Sequence, residues 1–324
     1  MSYTQDDYRR AEEVLERRRE RANMETDLRR AKINEEIPEL AGITQELAQV
    51  GLNISKVFIF SDNKQADMEK LKEQSLALQK KRAELLKQHG YNEDVLEVSY
   101  HCKACGDTGL INNRRCKCVN EILKDLQRER LSEIAPLEDS TFESFDVNYY
   151  PDTVGASGIS PRQKAERIKE SCRKYATSFT TASNNVMFMG GTGLGKTHLS
   201  LAIANAVINR GFSVIYDTAQ NILSDLENEK FGRTDRLRYS EADVLGCDLL
   251  IIDDLGTEFK NSYTVACLYN IINTRISSRR PTVISTNYTW SELEEQYDQR
   301  ITSRITGIYS QLVLEGNDIR YIKK

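Results

Sequence analysis

Gly190-Gly191-Thr192-Gly193-Leu194-Gly195-Lys196-Thr197 fits the spacing G-x4-G-K-[ST], directly after the apolar run Val186–Met189 and directly before a helical stretch opened by His198. Such a loop does phosphate chemistry. Its glycines let successive backbone N–H groups curve around phosphate oxygens at the positive end of a helix. Lys196 adds charge at the β- and γ-phosphates, and Thr197 offers a hydroxyl to Mg2+. Residues 190–198 are therefore read as a nucleotide-binding loop.

A second element is the apolar run Leu249–Ile252, which ends in Asp253 and Asp254. A carboxylate at the end of a buried strand can hold Mg2+ through its water shell, and its neighbour can orient or deprotonate an attacking water. A third run, Val283–Thr286, ends in Asn287, which reaches the same site if its strand lies between the other two. Taken alone, each is also what an apolar strand followed by a polar turn looks like.

Four of the seven cysteines fall in one window, Cys102-x2-Cys105-x10-Cys116-x-Cys118. In a reducing compartment this clustering reads as a metal site, and four thiolates can close a tetrahedron around Zn2+. Gly106 and Gly109 supply the tight turns. Cys172, Cys247 and Cys267 read as buried apolar groups.

These residues need a scaffold. From residue 162 onward, short β-rich runs near 186, 213, 248, 282 and 311 alternate with helical stretches, which predicts an α/β domain, a parallel sheet with helices on both faces. Residues 1–100 carry 17 Lys/Arg and 20 Asp/Glu, the composition of exposed helices. Within them Met68, Leu71, Leu78 and Leu85 space one apolar seam along a helix, with polar Ser75 and Arg82 on the same line. A helical hairpin or small bundle is expected there, rather than a stable dimeric coiled coil. The predicted organisation is a helical partner-binding region 1–100, a zinc module with its following helix 101–135, a linker 136–161 rich in Pro, Gly and Ser, and the α/β domain 162–324.

Composition excludes some classes. The chain has 324 residues, 39% hydrophobic and 29% charged, too apolar for wholesale disorder. No apolar run approaches the ~20 residues of a spanning helix. The polar, acidic start lacks the pattern of a secretory signal, so a cytoplasmic location is expected. A net charge of -4 argues against a general nucleic-acid coat protein and leaves a local basic patch open.

The loop GGTGLGKTHL, the strand LLIIDDLG, the tip STN, the run Gln299–Arg304 and the segment Asn317–Arg320 resemble, in order and spacing, the AAA+ ATPases. More narrowly, DDLG and R-x3-R resemble the bacterial helicase loaders of the DnaC/DnaI type and the related IstB transposition ATPases. The front half, with CxxCxDTG and CxC, resembles zinc-bearing loaders. The resemblance implies ATP and Mg2+ at Lys196, Thr197 and Asp253, water positioning by Asp254, and a sensor role for Asn287. It implies that Arg304, or else Arg300, is an arginine finger acting on a neighbour's ATP, and that Arg320 touches the γ-phosphate of its own subunit. Thr141–Phe145 resembles the segment near the adenine, and it also reads as a hydrophobic anchor. Asp254 departs from the more usual glutamate, which suits a switch better than a motor.

The resemblance also implies partners: a hexameric replicative helicase of the DnaB type, single-stranded DNA, and further copies of the chain in a spiral or ring. Two other readings stand beside the loader, a transposition or phage accessory ATPase and a non-catalytic ATP-binding adaptor. For DNA contact the candidates are Arg233, Arg236 and Arg238 near Phe231 and Tyr239. A solvated arginine-rich loop is the competing reading.

Overall fold

Between Gln5 and Glu36 the sequence holds neither glycine nor proline, and it forms one helix, α1 (Gln5–Glu36). Pro38 then occupies the first turn of α2 (Pro38–Phe60), where its missing N–H costs nothing. The computed structural model describes residues 3–60, 63–154, 158–233 and 237–322. Helix α3 (Lys64–Gln88) packs on α2, and the seam residues Met68, Leu71, Leu78 and Leu85 are all half-buried. At the base, Ile33, Ile37, Leu40, Leu86 and Leu96 form a small core. Arg29 and Arg30 donate to the carbonyls of Val95, Glu97 and Leu96, satisfying a loop that has no ladder of its own.

A two-residue hairpin follows, β1 (Leu110–Ile111) and β2 (Arg114–Arg115), antiparallel. Its turn residues Asn112 and Asn113 both have positive φ, 49° and 60°, a conformation asparagine tolerates better than most side chains. Helix α4 (Lys117–Ile134) comes next.

The chain forms two compact units, Glu12–Cys118 and Met1–Ala11 with Val119–Lys324. The first residues of the chain thus belong with the α/β part: Tyr3 donates to the carbonyl of Gly211 at 3.0 Å, and buried Asp7 pairs with Arg130 at 3.0 Å. Composition does not reveal such a return of the chain start.

In the α/β unit, Ser160 and Gln163 form a capping box that starts α5 (Pro161–Thr177). There follow β3 (Asn185–Met189), α6 (Lys196–Asn209), β4 (Val214–Thr218), α7 (Ala219–Lys230), α8 (Glu241–Gly246), β5 (Leu249–Leu255), α9 (Ser262–Ser277), β6 (Thr282–Thr286), α10 (Trp290–Gln296), α11 (Gln299–Ile308) and β7 (Tyr309–Val313). The five strands pair in parallel in the order β4-β5-β6-β3-β7. This is the predicted fold class.

Alternation along β3 serves both faces. Val186 and Phe188 pack with α5 and α6, whereas Met187 and Met189 pack with residues of α7, α9 and α11. Strands buried on both sides read as continuous apolar runs, which is why the sequence exposed them. The register of β5 against β6 is interrupted between Ile252 and Leu255, where the acidic pair lies. Among the described residues no helix is long and apolar enough to cross a membrane.

Candidate nucleotide site and cysteine centre

The loop between β3 and α6 needs its glycines for space as well as for φ. Gly195, at φ 81°, caps α6, and a Cβ there would lie 2.7 Å from the Phe145 ring. Gly193, at φ 73°, leaves no room for a Cβ beside the Asp318 carboxylate. Thr192, Gly193, Leu194, Gly195, Lys196 and Thr197 line a cleft of about 500 Å³. His198, Asp254, Asn287 and Arg320 also face this cleft.

Lys196 is 4% exposed, and its Nζ donates to the carbonyls of Gly190 and Gly191 at 2.7 and 2.8 Å and to Asn287 Oδ1 at 2.7 Å. Burial pulls its pKa below the ordinary lysine value, against the opposing pull of Asp254 and Asp253. Asn287 reaches the lysine because β6 is the strand inserted between β5 and β3.

Three hydroxyls from three elements converge on Asp253, which is 2% exposed. Thr197 Oγ1 donates to Oδ2 at 2.9 Å, Tyr216 OH donates to the same oxygen at 2.7 Å, and Ser285 Oγ donates to Oδ1. A carboxylate offers about four lone-pair positions, so Asp253 could accept one further donor at Oδ1. Asp254 stands beside it in a left-handed conformation, φ 52°, with its N–H donating to Ser285 Oγ at 3.0 Å. Burial and the neighbouring Asp253 charge raise its pKa above the ordinary carboxylate value, and Lys196 and Arg320 oppose that rise.

The opposite wall comes from residues 136–161, read as a linker in the sequence. Tyr150, 1% exposed, donates to the carbonyl of Leu194 at 2.6 Å, and the Phe145 ring lies 5.5 Å from that of His198. Phe145 and Tyr149 both line the cleft. Arg320 makes a two-pronged pair with Asp318, at 3.1 Å on each side.

Arg304 is not among the residues lining this cleft. Its guanidinium donates to Asn273 at 3.0 Å and to Tyr269 OH at 2.9 Å, both on α9. Arg300 lines a separate hollow with Lys260, Tyr269 and Asp298.

The cysteine centre is compact. The sulfurs of Cys102, Cys105, Cys116 and Cys118 all lie within 4.8 Å of one another. Zn–S bonds of ~2.3 Å in a tetrahedron put sulfurs ~3.8 Å apart, and the pairs Cys102–Cys116 and Cys105–Cys118 stand at 3.7 and 3.5 Å. The residues present therefore fit zinc. Asp107, fully buried and at φ 53°, accepts the N–H groups of His101 and Cys102 at 2.8 and 2.9 Å, fixing the first knuckle.

The DNA candidates fare differently. Tyr239 is 2% exposed and belongs to the core, and Arg238 pairs with buried Asp217 at 3.1 Å. Neither is free to bind a strand. Arg236 lies outside the described residues, and Arg233 and Phe231 are exposed.

A model of the family described as IstB-like ATP binding protein matches residues 135–312. The chain belongs to this family.

The IstB-like region contains all the described cleft-lining residues except Ile319 and Arg320, and the family's own description names ATP as ligand. The replicative helicase loader DnaC of Escherichia coli K12 is 30% identical over 133 residues, 41% of this chain and 54% of the loader. That of Buchnera aphidicola subsp. Baizongia pistaciae is 28% identical over 163 residues, 49% of this chain and 65% of the loader. The IstB-like chain thus spans about half the length of the first of these relatives and less than two thirds of the second. The crystal structure of the DnaC helicase loader superposes with a TM-score of 0.45 at 19% identity, over 56% of this chain and 99% of that chain.

Sequence reasoning missed Tyr216, Ser285 and Tyr150. Each belongs to an apolar run or a loop where a hydroxyl carries no spacing signal. Only the strand order and the loop path bring them to Asp253 and Leu194.

Proposed function

We propose that the chain is an ATP-dependent loader that binds the hexameric replicative helicase of the DnaB type in the cytoplasm, helps place it on single-stranded DNA, and uses ATP binding and hydrolysis as the switch. The observation that carries this reading is the 30% identity over 133 residues to a replicative helicase loader, in a chain whose fold brings Lys196, Thr197, Asp253 and Asn287 together. In this reading the glycine loop and Lys196 hold the triphosphate, while Phe145 and His198 flank the base side. Thr197 and Asp253 hold Mg2+, which supplies charge neutralisation on the phosphates. Asp254 orients the attacking water, and Arg320 steadies the γ-phosphate.

Arg304 and Arg300 sit away from their own cleft, so the finger is supplied by a neighbouring copy in a spiral or ring, and hydrolysis is slow in isolated subunits. The sulfur cluster with zinc shapes the partner-binding front unit. For single-stranded DNA the exposed aromatic surface is the better candidate. Phe231 and Phe259 are 61% and 77% exposed, Tyr263 stands 6.4 Å from the Phe231 ring, and Lys230 caps the Tyr263 face at 4.5 Å. Aromatic faces with adjacent cations suit stacked bases.

Membership of the IstB-like family favours a second reading, an accessory ATPase of transposition that binds a transposase. One experiment separates the two. The zinc-replete full chain is mixed with the replicative helicase of the same organism, with ATP, with ADP and without nucleotide, and analysed by gel filtration with light scattering. A complex of defined stoichiometry supports the loader. Absence of a complex in all three conditions overturns it and makes a transposase the next partner to test.

A further inference from the structure

Glu258 lies in the loop that leaves β5, four positions beyond Asp254, and is 7% exposed. Its Oε2 accepts the N–H of Gly256 at 2.8 Å, and its Oε1 accepts the hydroxyl of Tyr297. Among the described residues no ion pair involves it, so a buried carboxylate is held by a peptide and a phenol. Removing such a group from water is costly, and with each oxygen accepting a hydrogen bond from a different element the carboxylate fixes the geometry between them.

What it fixes is the backbone next to Asp254. Gly256, at φ 107°, is held on both sides: its N–H by Glu258, and its carbonyl by Tyr288 OH at 3.0 Å. A Cβ at Gly256 would run into the Tyr288 ring, and Tyr288 directly follows Asn287. Thr257 then donates both its N–H and its hydroxyl to the carbonyl of Asp254, at 3.2 and 2.8 Å. The left-handed turn at Asp254 is thereby clamped from the residues that follow it.

At the other end, Tyr297 closes α10 and precedes Asp298, whose carboxylate caps the N–H of Arg300 at the start of α11. That helix carries Arg300 and Arg304. Two hydrogen bonds, Tyr297 to Glu258 and Gly256 to Glu258, thus join the chain entering the arginine helix to the backbone two residues after Asp254.

We infer that Glu258 is a positioning residue that, through Tyr297, ties helix α11 to the loop setting Asp254, so that engagement of the arginine helix by a neighbouring copy is felt at the same subunit's own hydrolytic carboxylate. This rests on the ATPase reading above and deepens it. It makes the finger helix a receiver as well as a donor.

The test uses the full chain and three variants, Tyr297→Phe, Glu258→Gln and Glu258→Ala. Tyr297→Phe deletes one hydroxyl from the link. It is expected to raise amide exchange at Gly256 about tenfold, as a local opening does. Turnover is expected to fall about tenfold, since small misplacements of reacting groups are costly in rate. Affinity for a fluorescent ATP analogue should stay within about twofold, because Lys196 and the glycine loop are untouched. Glu258→Gln, which can still accept from Gly256 and pair with Tyr297, should restore most of the turnover that Glu258→Ala loses. Unchanged exchange, unchanged turnover, or a parallel loss of affinity in Tyr297→Phe each overturns the inference. These measurements use the protein alone, so their failure is distinct from failure of helicase binding.

Discussion

The ammonium of Lys196 donates to the side chain of Asn287 at 2.7 Å, joining the ends of two adjacent strands, β3 through its glycine loop and β6 through its tip. The same ammonium holds the carbonyls of Gly190 and Gly191. In the proposed function, a γ-phosphate in the loop would compete for that one cation. Asn287 is the neighbour best placed to report the outcome.

Lys196→Ala removes a cation from the phosphate site. Charged hydrogen bonds are worth about 1.5–3 kcal/mol, so ATP affinity should fall roughly 10- to 150-fold. Calorimetry on the purified variant reads this directly. Helicase binding that survives unchanged in the variant, with and without ATP, would favour the adaptor reading over the loader.

Tyr216→Phe leaves Asp253 with two hydroxyl partners instead of three. Loss of such an outer partner typically weakens metal binding by about 10- to 100-fold. The Mg2+ concentration needed for half-maximal nucleotide binding should rise, while affinity measured without Mg2+ stays level. A Mg2+ requirement equal to that of the parent protein contradicts the proposed role of the Tyr216 hydroxyl.

The pH dependence of turnover carries the signature of Asp254, whose pKa is raised above the ordinary 3.8 by burial and by Asp253. In the proposed role of orienting the attacking water Asp254 would work ionised, so activity should be lost on acidification through a limb displaced upward from that value. The sign for stability is opposite. Ionised Asp254 costs the fold something at neutral pH, and that cost is withdrawn as pH falls through the raised pKa. Asp254→Asn should abolish turnover and flatten this part of the stability profile; a variant with normal turnover removes Asp254 from the mechanism.

In the cysteine centre, Asp107→Ala removes the acceptor that holds the N–H groups of His101 and Cys102 and so loosens the first knuckle. Zinc should be held more weakly, measurable by competition with a chromogenic chelator. Metal removal from the parent chain should disorder residues 102–118 while the melting of the α/β unit is retained.

On the aromatic surface, Phe231→Ala and Phe259→Ala should each weaken binding of a labelled oligothymidine, since base stacking is worth about 1–3 kcal/mol per base. Arg238→Ala should instead lower stability, because it removes the cation paired with buried Asp217 and leaves that carboxylate only the Thr218 N–H and the Asn221 amide. Anisotropy at fixed salt, paired with thermal melting, separates the two effects.

How much of this was legible follows from what spacing can encode. Glycine positions, the apolar runs of the five strands and the four cysteines repeat the geometry they build, so the sheet, the loop and the metal cluster could be read. Partner choice across the fold is not encoded that way. Arg238 looked like a free cation because Asp217, on β4, is far from it in sequence. Tyr239 looked like a stacking platform, although tertiary packing buries it. Residues 136–161 looked like a linker from their Pro, Gly and Ser, while Tyr150 and Phe145 within them press on the glycine loop. The left-handed turn at Asp254 leaves no mark in composition, because aspartate also occurs in ordinary strand ends.

The place of β3 in the sheet bears on how the molecule comes into being. Val186 pairs with Val283 on one side and with Ser310 on the other, so the strand that launches the glycine loop has no neighbour in the ladder until β6 exists and is paired on both sides only once β7 does. Pairings this remote in sequence form slowly. During synthesis, β3 is therefore flanked on both sides only after residue 313 has emerged, whereas the front helices, whose contacts are local, can form well before then.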